Sequence, residues 1–298
     1  MKKLYGVVTA LLTPARTDAE IDCDEAVRLA RFAADGGVNG LFVGGTNGEG
    51  IKYSTTQRAK LAQAIVENVD RSRTMVCIHT GAARLEDTIE LTQQAHAVGA
   101  DCAAVVSPSF LSYDEDELYD YYAAVLESTP RDFPVYLYNI PQRTGNDISP
   151  AVCRRLNRRY DNLVGIKYSF NDLVRTQQYL EIDGFSVLHG WDVYQLQYLT
   201  LGCDGIVSGL SGVCPVPFVK LRECWLKNDI AGAQAWQAVC QEVGKVYCGG
   251  NIAVMKQAMR LAGYRFTGKD HFTEEKDLLC LKQGLERLDA RIRDLLTR

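Results

Sequence analysis

Eight short apolar runs recur through residues 1–225, separated by longer amphipathic stretches. The runs are Tyr5–Leu12, Gly40–Val43, Met75–His79, Cys102–Ser107, Val135–Tyr138, Val164–Lys167, Ser186–Leu188 and Gly205–Val207. The intervals, such as Asp24–Asp35, Thr55–Val69, Leu85–Val98 and Glu115–Leu126, are long enough and periodic enough for helices. Strands that alternate with helices pair in parallel through right-handed crossovers. Eight such units predict a (β/α)8 TIM barrel rather than an open sheet. The patterns that follow are all helical, at Phe218–Lys227, Ala231–Val246, Ala253–Ala262 and Glu274–Leu296. They predict an eighth barrel helix and a C-terminal helical extension. Residues 1–225 are thus expected to form the catalytic barrel and 226–298 a helical domain.

Composition narrows the function classes. Hydrophobic residues make up 47% of the chain, enough to fill a large core. The net charge of −4 leaves no dominant basic face for nucleic acid. The local run Arg154-Arg155-Leu156-Asn157-Arg158-Arg159 reads as a solvated helix face. No apolar stretch reaches the ~18 residues of a membrane span. Met1-Lys2-Lys3-Leu4 leads straight into a strand pattern with no small-residue cleavage site, so no signal peptide and a cytoplasmic location are expected. The ten cysteines include no Cys-x-x-Cys pair and several sit in apolar runs, which predicts buried free thiols. The four histidines show no ligand spacing, so a metal site is not expected and a zinc-dependent aldolase is disfavoured.

A barrel of this kind carries its chemistry at the C-terminal ends of its strands, and the conspicuous residues sit there. Gly44-Gly45-Thr46-Asn47-Gly48-Glu49-Gly50 follows the second run. It fits neither the dinucleotide fingerprint nor the P-loop. Its small residues suit an anion-binding nest of backbone N–H groups, or else a turn that needs positive φ. Ser107-Pro108-Ser109-Phe110 follows the fourth run, His189-Gly190-Trp191-Asp192 the seventh and Ser208-Gly209-Leu210-Ser211-Gly212 the eighth. Tyr138 and Lys167 end the fifth and sixth. Burial of a lysine favours the neutral amine, a nucleophile for carbonyl carbon that can form a Schiff base. A nearby tyrosine hydroxyl could move protons on the adduct. The plainer reading of Lys167 is a strand-end lysine that snorkels to solvent.

Gly44-Gly45-Thr46-Asn47-Gly48-Glu49, Tyr138-Asn139-Ile140-Pro141 and Gly165-Ile166-Lys167, in this order, resemble the dihydrodipicolinate synthase / N-acetylneuraminate lyase family of pyruvate-dependent class I aldolases. The resemblance runs from Gly6-Val7-Val8-Thr9-Ala10-Leu11-Leu12-Thr13-Pro14 to the C-terminal helices. It implies a homotetramer without a dissociable cofactor. Pyruvate would be held covalently on Lys167, as an imine and then as an enamine nucleophile. Tyr138 would shuttle protons and position the acceptor. Thr46 would hydrogen-bond the Tyr138 hydroxyl, and the Thr46 and Asn47 backbone N–H groups would hold the pyruvate carboxylate. Asn47 departs from the commoner Thr or Ser-Thr pattern. Val207 would line the pyruvate pocket through its backbone.

The second substrate is marked by mixed signals. Arg143 matches the arginine with which the synthases hold the carboxylate of aspartate semialdehyde, a role suited to a bidentate guanidinium. It could equally be a surface arginine after a turn. Phe110 aligns with the tyrosine that a neighbouring synthase subunit lends to the proton relay, and it has no hydroxyl. Gly50, Ala83 and Ser109 stand where lysine-regulated synthases carry polar or aromatic partners. Leu41-Phe42-Val43-Gly44-Gly45 is closer to the sialic-acid lyases, and Asp192 matches their sugar-binding aspartate. Val193 replaces their glycerol-binding glutamate, and Gly209 stands where a serine is expected. The favoured expectation is an aldolase of a 2-keto-3-deoxy acid sugar, N-acetylneuraminate-lyase-like in type. Dihydrodipicolinate synthase is the alternative. A non-catalytic pyruvate or sugar-acid sensor is the alternative of another class, and the presence of Lys167, Tyr138 and Thr46 argues against it.

Overall fold

The structure is a computed structural model that describes residues 1–17, 19–268 and 271–297. The eight expected strands form: β1 Gly6–Ala10, β2 Gly40–Val43, β3 Met75–His79, β4 Cys102–Val106, β5 Val135–Asn139, β6 Leu163–Tyr168, β7 Ser186–His189 and β8 Gly205–Ser208. All pair in parallel and close a barrel, with β1 hydrogen-bonded to both β2 and β8. The helices between them are α1 Cys23–Asp35, α2 Thr55–Asn68, α3 Leu85–Ala97, α4 Glu115–Glu127, α5 Pro150–Arg159, α6 Leu173–Leu180 and α7 Gln195–Leu201. Helix α8, Pro215–Leu226, completes the ring.

Side chains alternate across each strand, and both faces find apolar partners. Val8, Phe42, Cys77, Tyr138 and Val207 share a cluster inside the barrel, whereas Val7, Leu41, Val76, Leu137 and Ile206 belong to the core beneath the helices. Burial on both faces is why these strands read as continuous apolar runs. One end of the interior is closed by Tyr136, whose hydroxyl accepts from the Leu4 N–H at 2.8 Å and donates to Ser186 Oγ at 3.4 Å. Several helix starts carry side-chain caps. Asp114 and Glu117 form a reciprocal capping box on α4, and Ser149 caps α5 ahead of Pro150. The basic face of α5 is solvated, with Leu156 buried and Arg155 paired with Asp116 at 2.7 Å.

Two short elements depart from the sequence reading. Ala15–Thr17 and Glu20–Ile21 pair as a two-stranded antiparallel sheet, too short to show strand alternation. The Tyr-Asn-Ile-Pro segment is a strand end followed by one helical turn, Pro141–Thr144, rather than a turn throughout. The last helices are α9 Ile230–Val246, α10 Ile252–Leu261 and α11 Glu275–Leu296. Their Trp236, Val239, Met255 and Leu288 join the outer core of the barrel. All ten cysteines are free, and among the described residues no helix is long and apolar enough to cross a membrane.

Candidate active site

The strand ends converge on a cleft of about 590 Å³. Thr46, Asn47, Tyr138, Arg143, Lys167, Asp192 and Val207 all line it. Of the residues expected to contact substrate, only Phe110 does not. It lies in the loop after β4 at φ 77° and is 98% exposed, so it takes no part in the cleft of its own chain.

Lys167 and Tyr138 are cross-strand partners in the β5–β6 register, so period 2 turns both into the barrel. Lys167 is 4% exposed, buried rather than snorkelling. Its Nζ sits 3.9 Å from the centroid of the Tyr138 ring and 4.0 Å from that of Phe42. It has no ion pair among the described residues. A primary amine held dry between two ring faces can reach a carbonyl carbon without first leaving a carboxylate partner. The Tyr138 hydroxyl and Thr46 Oγ1 are 3.0 Å apart, a hydrogen bond in which either group can donate. The phenol therefore has a built-in route for a proton.

Thr46 belongs to the glycine-rich loop, and the loop is shaped by close backbone approach. Gly44 has φ 72°, and a Cβ on Gly50 would lie 1.9 Å from the Gly44 carbonyl oxygen. His79, at the end of β3, fixes the start of this loop. Its Nδ1 lies 3.1 Å from the Gly44 oxygen, which only accepts, and 3.4 Å from Arg58 Nη2, which only donates; the shorter contact fits the tautomer with the proton on Nδ1. The imidazole ring also meets the Tyr138 ring edge-on at 5.8 Å. Burial, with Arg58 and Lys167 nearby, holds the His79 pKa well below its usual value, so the ring stays neutral. Arg58 in turn donates to the His79 carbonyl at 2.8 Å and to the Gly81 carbonyl at 3.0 Å. His79 thus braces both members of the Tyr138–Thr46 pair.

Glu49 anchors the far end of the loop through Lys52 and Lys256, the latter on α10. Burial pushes its carboxyl pKa up, but the hydrogen bonds to Lys256 and Lys52 outweigh this and hold it below the usual value. A carboxyl depressed in the folded state stabilises above its unfolded pKa, about 4.3, and the contribution is lost as pH falls through the folded value. Glu49→Gln is therefore expected to lower stability by about 1–3 kcal/mol at neutral pH. The difference from the wild type should shrink below about pH 4. Thermal melts across that range check it, and a pH-independent difference would show that the charge is not what stabilises.

Asp192 binds the loop after β8. Its Oδ1 accepts from Ser208 Oγ and, at 3.3 Å, from the Leu210 N–H. Burial raises its pKa, opposed by those hydrogen bonds and by Lys167. Arg143, in the helical turn after β5, is exposed at the mouth, with no ion pair among the described residues. Beside it Gln142 donates to the Ser169 carbonyl at 2.7 Å. Gln142, Ser169, Gly249 and Gly250 also line the cleft, and none of them has a role assigned from sequence. Ser169 stands two residues past Lys167, so strand alternation carries the signal for it. Gly249 and Gly250 precede α10, and only tertiary folding brings them to the barrel mouth.

Residues 3–269 match the Dihydrodipicolinate synthetase family, and the chain belongs to it. Its class is that of a pyruvate-dependent carbon–carbon lyase. The chain is 30% identical over 265 residues to the putative 2-dehydro-3-deoxy-D-gluconate aldolase YagE of Escherichia coli K12, covering 87% of both proteins. It is 35% identical over 231 residues to a 4-hydroxy-tetrahydrodipicolinate synthase of Thermus thermophilus, covering 77% of this chain and 76% of the synthase. The crystal structure of E. coli YagE in complex with pyruvate superposes with a TM-score of 0.88 at 28% identity, covering 97% of this chain and 99% of that one.

Proposed function

We propose that the chain is a class I aldolase that joins pyruvate to, or releases it from, a polyhydroxy aldehyde, with a 2-keto-3-deoxy sugar acid as the other partner in the equilibrium. The observation that carries this reading is the buried Lys167 amine against Tyr138, with the Tyr138 hydroxyl bonded to Thr46. In the condensing direction Lys167 Nζ attacks pyruvate C2 and water leaves as the imine forms. Loss of a methyl proton gives the enamine, whose carbon attacks the aldehyde. Water then cleaves the new imine and frees Lys167. Tyr138 moves the protons, with Thr46 as its partner. The imine is itself the electron sink, so the sequence needs no metal and no dissociable cofactor. The Thr46 and Asn47 backbone N–H groups hold the pyruvate carboxylate, and the Val207 backbone flanks it.

Asn47, Gln142, Arg143 and Asp192 spread polar groups along a cleft larger than pyruvate alone fills, which supports an acceptor with several hydroxyls. The relatives named as aldolases of 2-dehydro-3-deoxy-D-gluconate and 2-dehydro-3-deoxy-D-pentonate support the same reading. N-acetylneuraminate as the keto acid, with N-acetylmannosamine as its acceptor half, falls within it. The free Arg143 guanidinium favours a second reading, condensation with aspartate semialdehyde. The exposed Phe110 supports a homotetramer in which a neighbouring subunit covers it, and the ten free thiols support a reducing cytoplasm. An aldol assay with pyruvate and aspartate semialdehyde, N-acetylmannosamine, glyceraldehyde and other short sugars tests the substrate. The reading expects the hydroxylated aldehydes to be used best, and exclusive use of aspartate semialdehyde overturns it.

Arg143 bears on the acceptor in either reading. Losing one charge-assisted contact lowers kcat/KM by about one to two powers of ten. Arg143→Ala is expected to show that loss for the acceptor, or for the cleaved keto acid, while imine formation with pyruvate changes little. Loss of pyruvate trapping would place Arg143 in the donor site instead.

A further inference from the structure

Asn47 and Gly209 line the cleft from the loops after β2 and β8, and the structure puts them in contact. A Cβ built on Gly209 would lie 2.0 Å from Asn47 Nδ2 and 3.1 Å from Asn47 Cγ. The Asn47 side chain therefore occupies the space that any side chain at 209 would need. Its amide crosses from the loop after β2 to the loop after β8, where Asp192 is tied to Ser208 and Leu210. Both residues line the cleft, and the Asn47 amide has no hydrogen-bond partner among the described residues. An amide offers a donor in Nδ2 and an acceptor in Oδ1, whereas a hydroxyl both donates and accepts. A hydroxyl can thus use both the donor and the acceptor of the amide, whereas a carboxylate, which only accepts, would use Nδ2 alone.

We propose that Asn47 and Gly209 act as one specificity unit, in which the lack of a side chain at 209 admits the Asn47 amide and the amide hydrogen-bonds a hydroxyl of the aldehyde half. The backbone of residue 47 faces pyruvate and its side chain faces the acceptor, so one residue serves both halves. This rests on the aldolase reading above and names what distinguishes its acceptor. A site built to hydrogen-bond a hydroxyl discriminates strongly against the analogue without it, because the site's polar group is then left unpaired.

The test is the ratio of kcat/KM for D-glyceraldehyde over propionaldehyde, each condensed with pyruvate. It is measured for the wild type, Asn47→Ala, Gly209→Ala and the double variant. Asn47→Ala is expected to lower the ratio by about tenfold to a hundredfold. Gly209→Ala should lower it comparably, because its methyl displaces the amide. The double variant should lose no more than either single one, since both act on the same contact. Near-equal ratios in all four proteins, or losses that multiply in the double variant, overturn the proposal. Circular dichroism of each variant identifies a folding failure. In that case Asn47→Ser, which keeps a small polar side chain, supplies the decisive ratio. A wild type that pyruvate and borohydride do not label fails the aldolase reading and this inference with it. A labelled, active wild type with an unchanged ratio in the variants fails this inference alone.

Discussion

Lys167→Ala is expected to bring turnover to the background rate, a loss on the order of 10⁶-fold, the lower end of what enzymes contribute over the uncatalysed reaction. The size follows from what the side chain does. Among the described residues no other amine lines the cleft, since the one other basic residue there, Arg143, carries a guanidinium that stays protonated. Without an imine, the methyl protons of pyruvate have only the ketone carbonyl behind them, a much weaker electron sink than a protonated imine. The fold should survive. Lys167 has no ion pair among the described residues, and Asp192, the buried carboxyl it supports from a distance, keeps its hydrogen bonds from Ser208 and Leu210. Its neighbours on the ring faces, Tyr138 and Phe42, hold each other edge-on at 5.7 Å. Lys167→Met keeps the volume and removes only the amine. Steady-state assays of both variants check the loss, and turnover within tenfold of the wild type in either would remove the imine from the mechanism.

Tyr138→Phe is expected to lower turnover by about 10²–10⁴-fold, the usual worth of a positioned general acid–base group. The ring and its contacts with Phe42, His79 and Lys167 remain. What goes is the hydroxyl, and with it the 3.0 Å bond to Thr46. Stability should fall by only about 1 kcal/mol, the net worth of one neutral hydrogen bond. Imine formation should slow but still occur, because the amine is intact. Pre-steady-state trapping separates the two steps, and a loss under about threefold in turnover would assign the proton transfer to another group.

The barrel was legible because each strand is buried on both faces and so reads as one uninterrupted apolar run. Lys167 and Tyr138 were legible for the opposite reason, as polar residues that end such runs. The antiparallel pair of Ala15–Thr17 and Glu20–Ile21 was not, since two or three residues cannot display an alternation. His79 lies in an apolar strand and reads as a histidine without ligand spacing. Its bracing role depends on a carbonyl 35 residues away and a ring on β5, contacts that local patterning cannot express. Asn47 and Gly209 showed in the sequence as two separate departures. Only the closed barrel reveals that one makes room for the other.

The most direct measurement is intact mass after incubation with pyruvate and borohydride, followed by peptide mapping. One reduced pyruvate adduct per subunit is expected, located on Lys167 and absent from Lys167→Ala. Stable labelling of a different lysine, or turnover of pyruvate with no label at all, would contradict it.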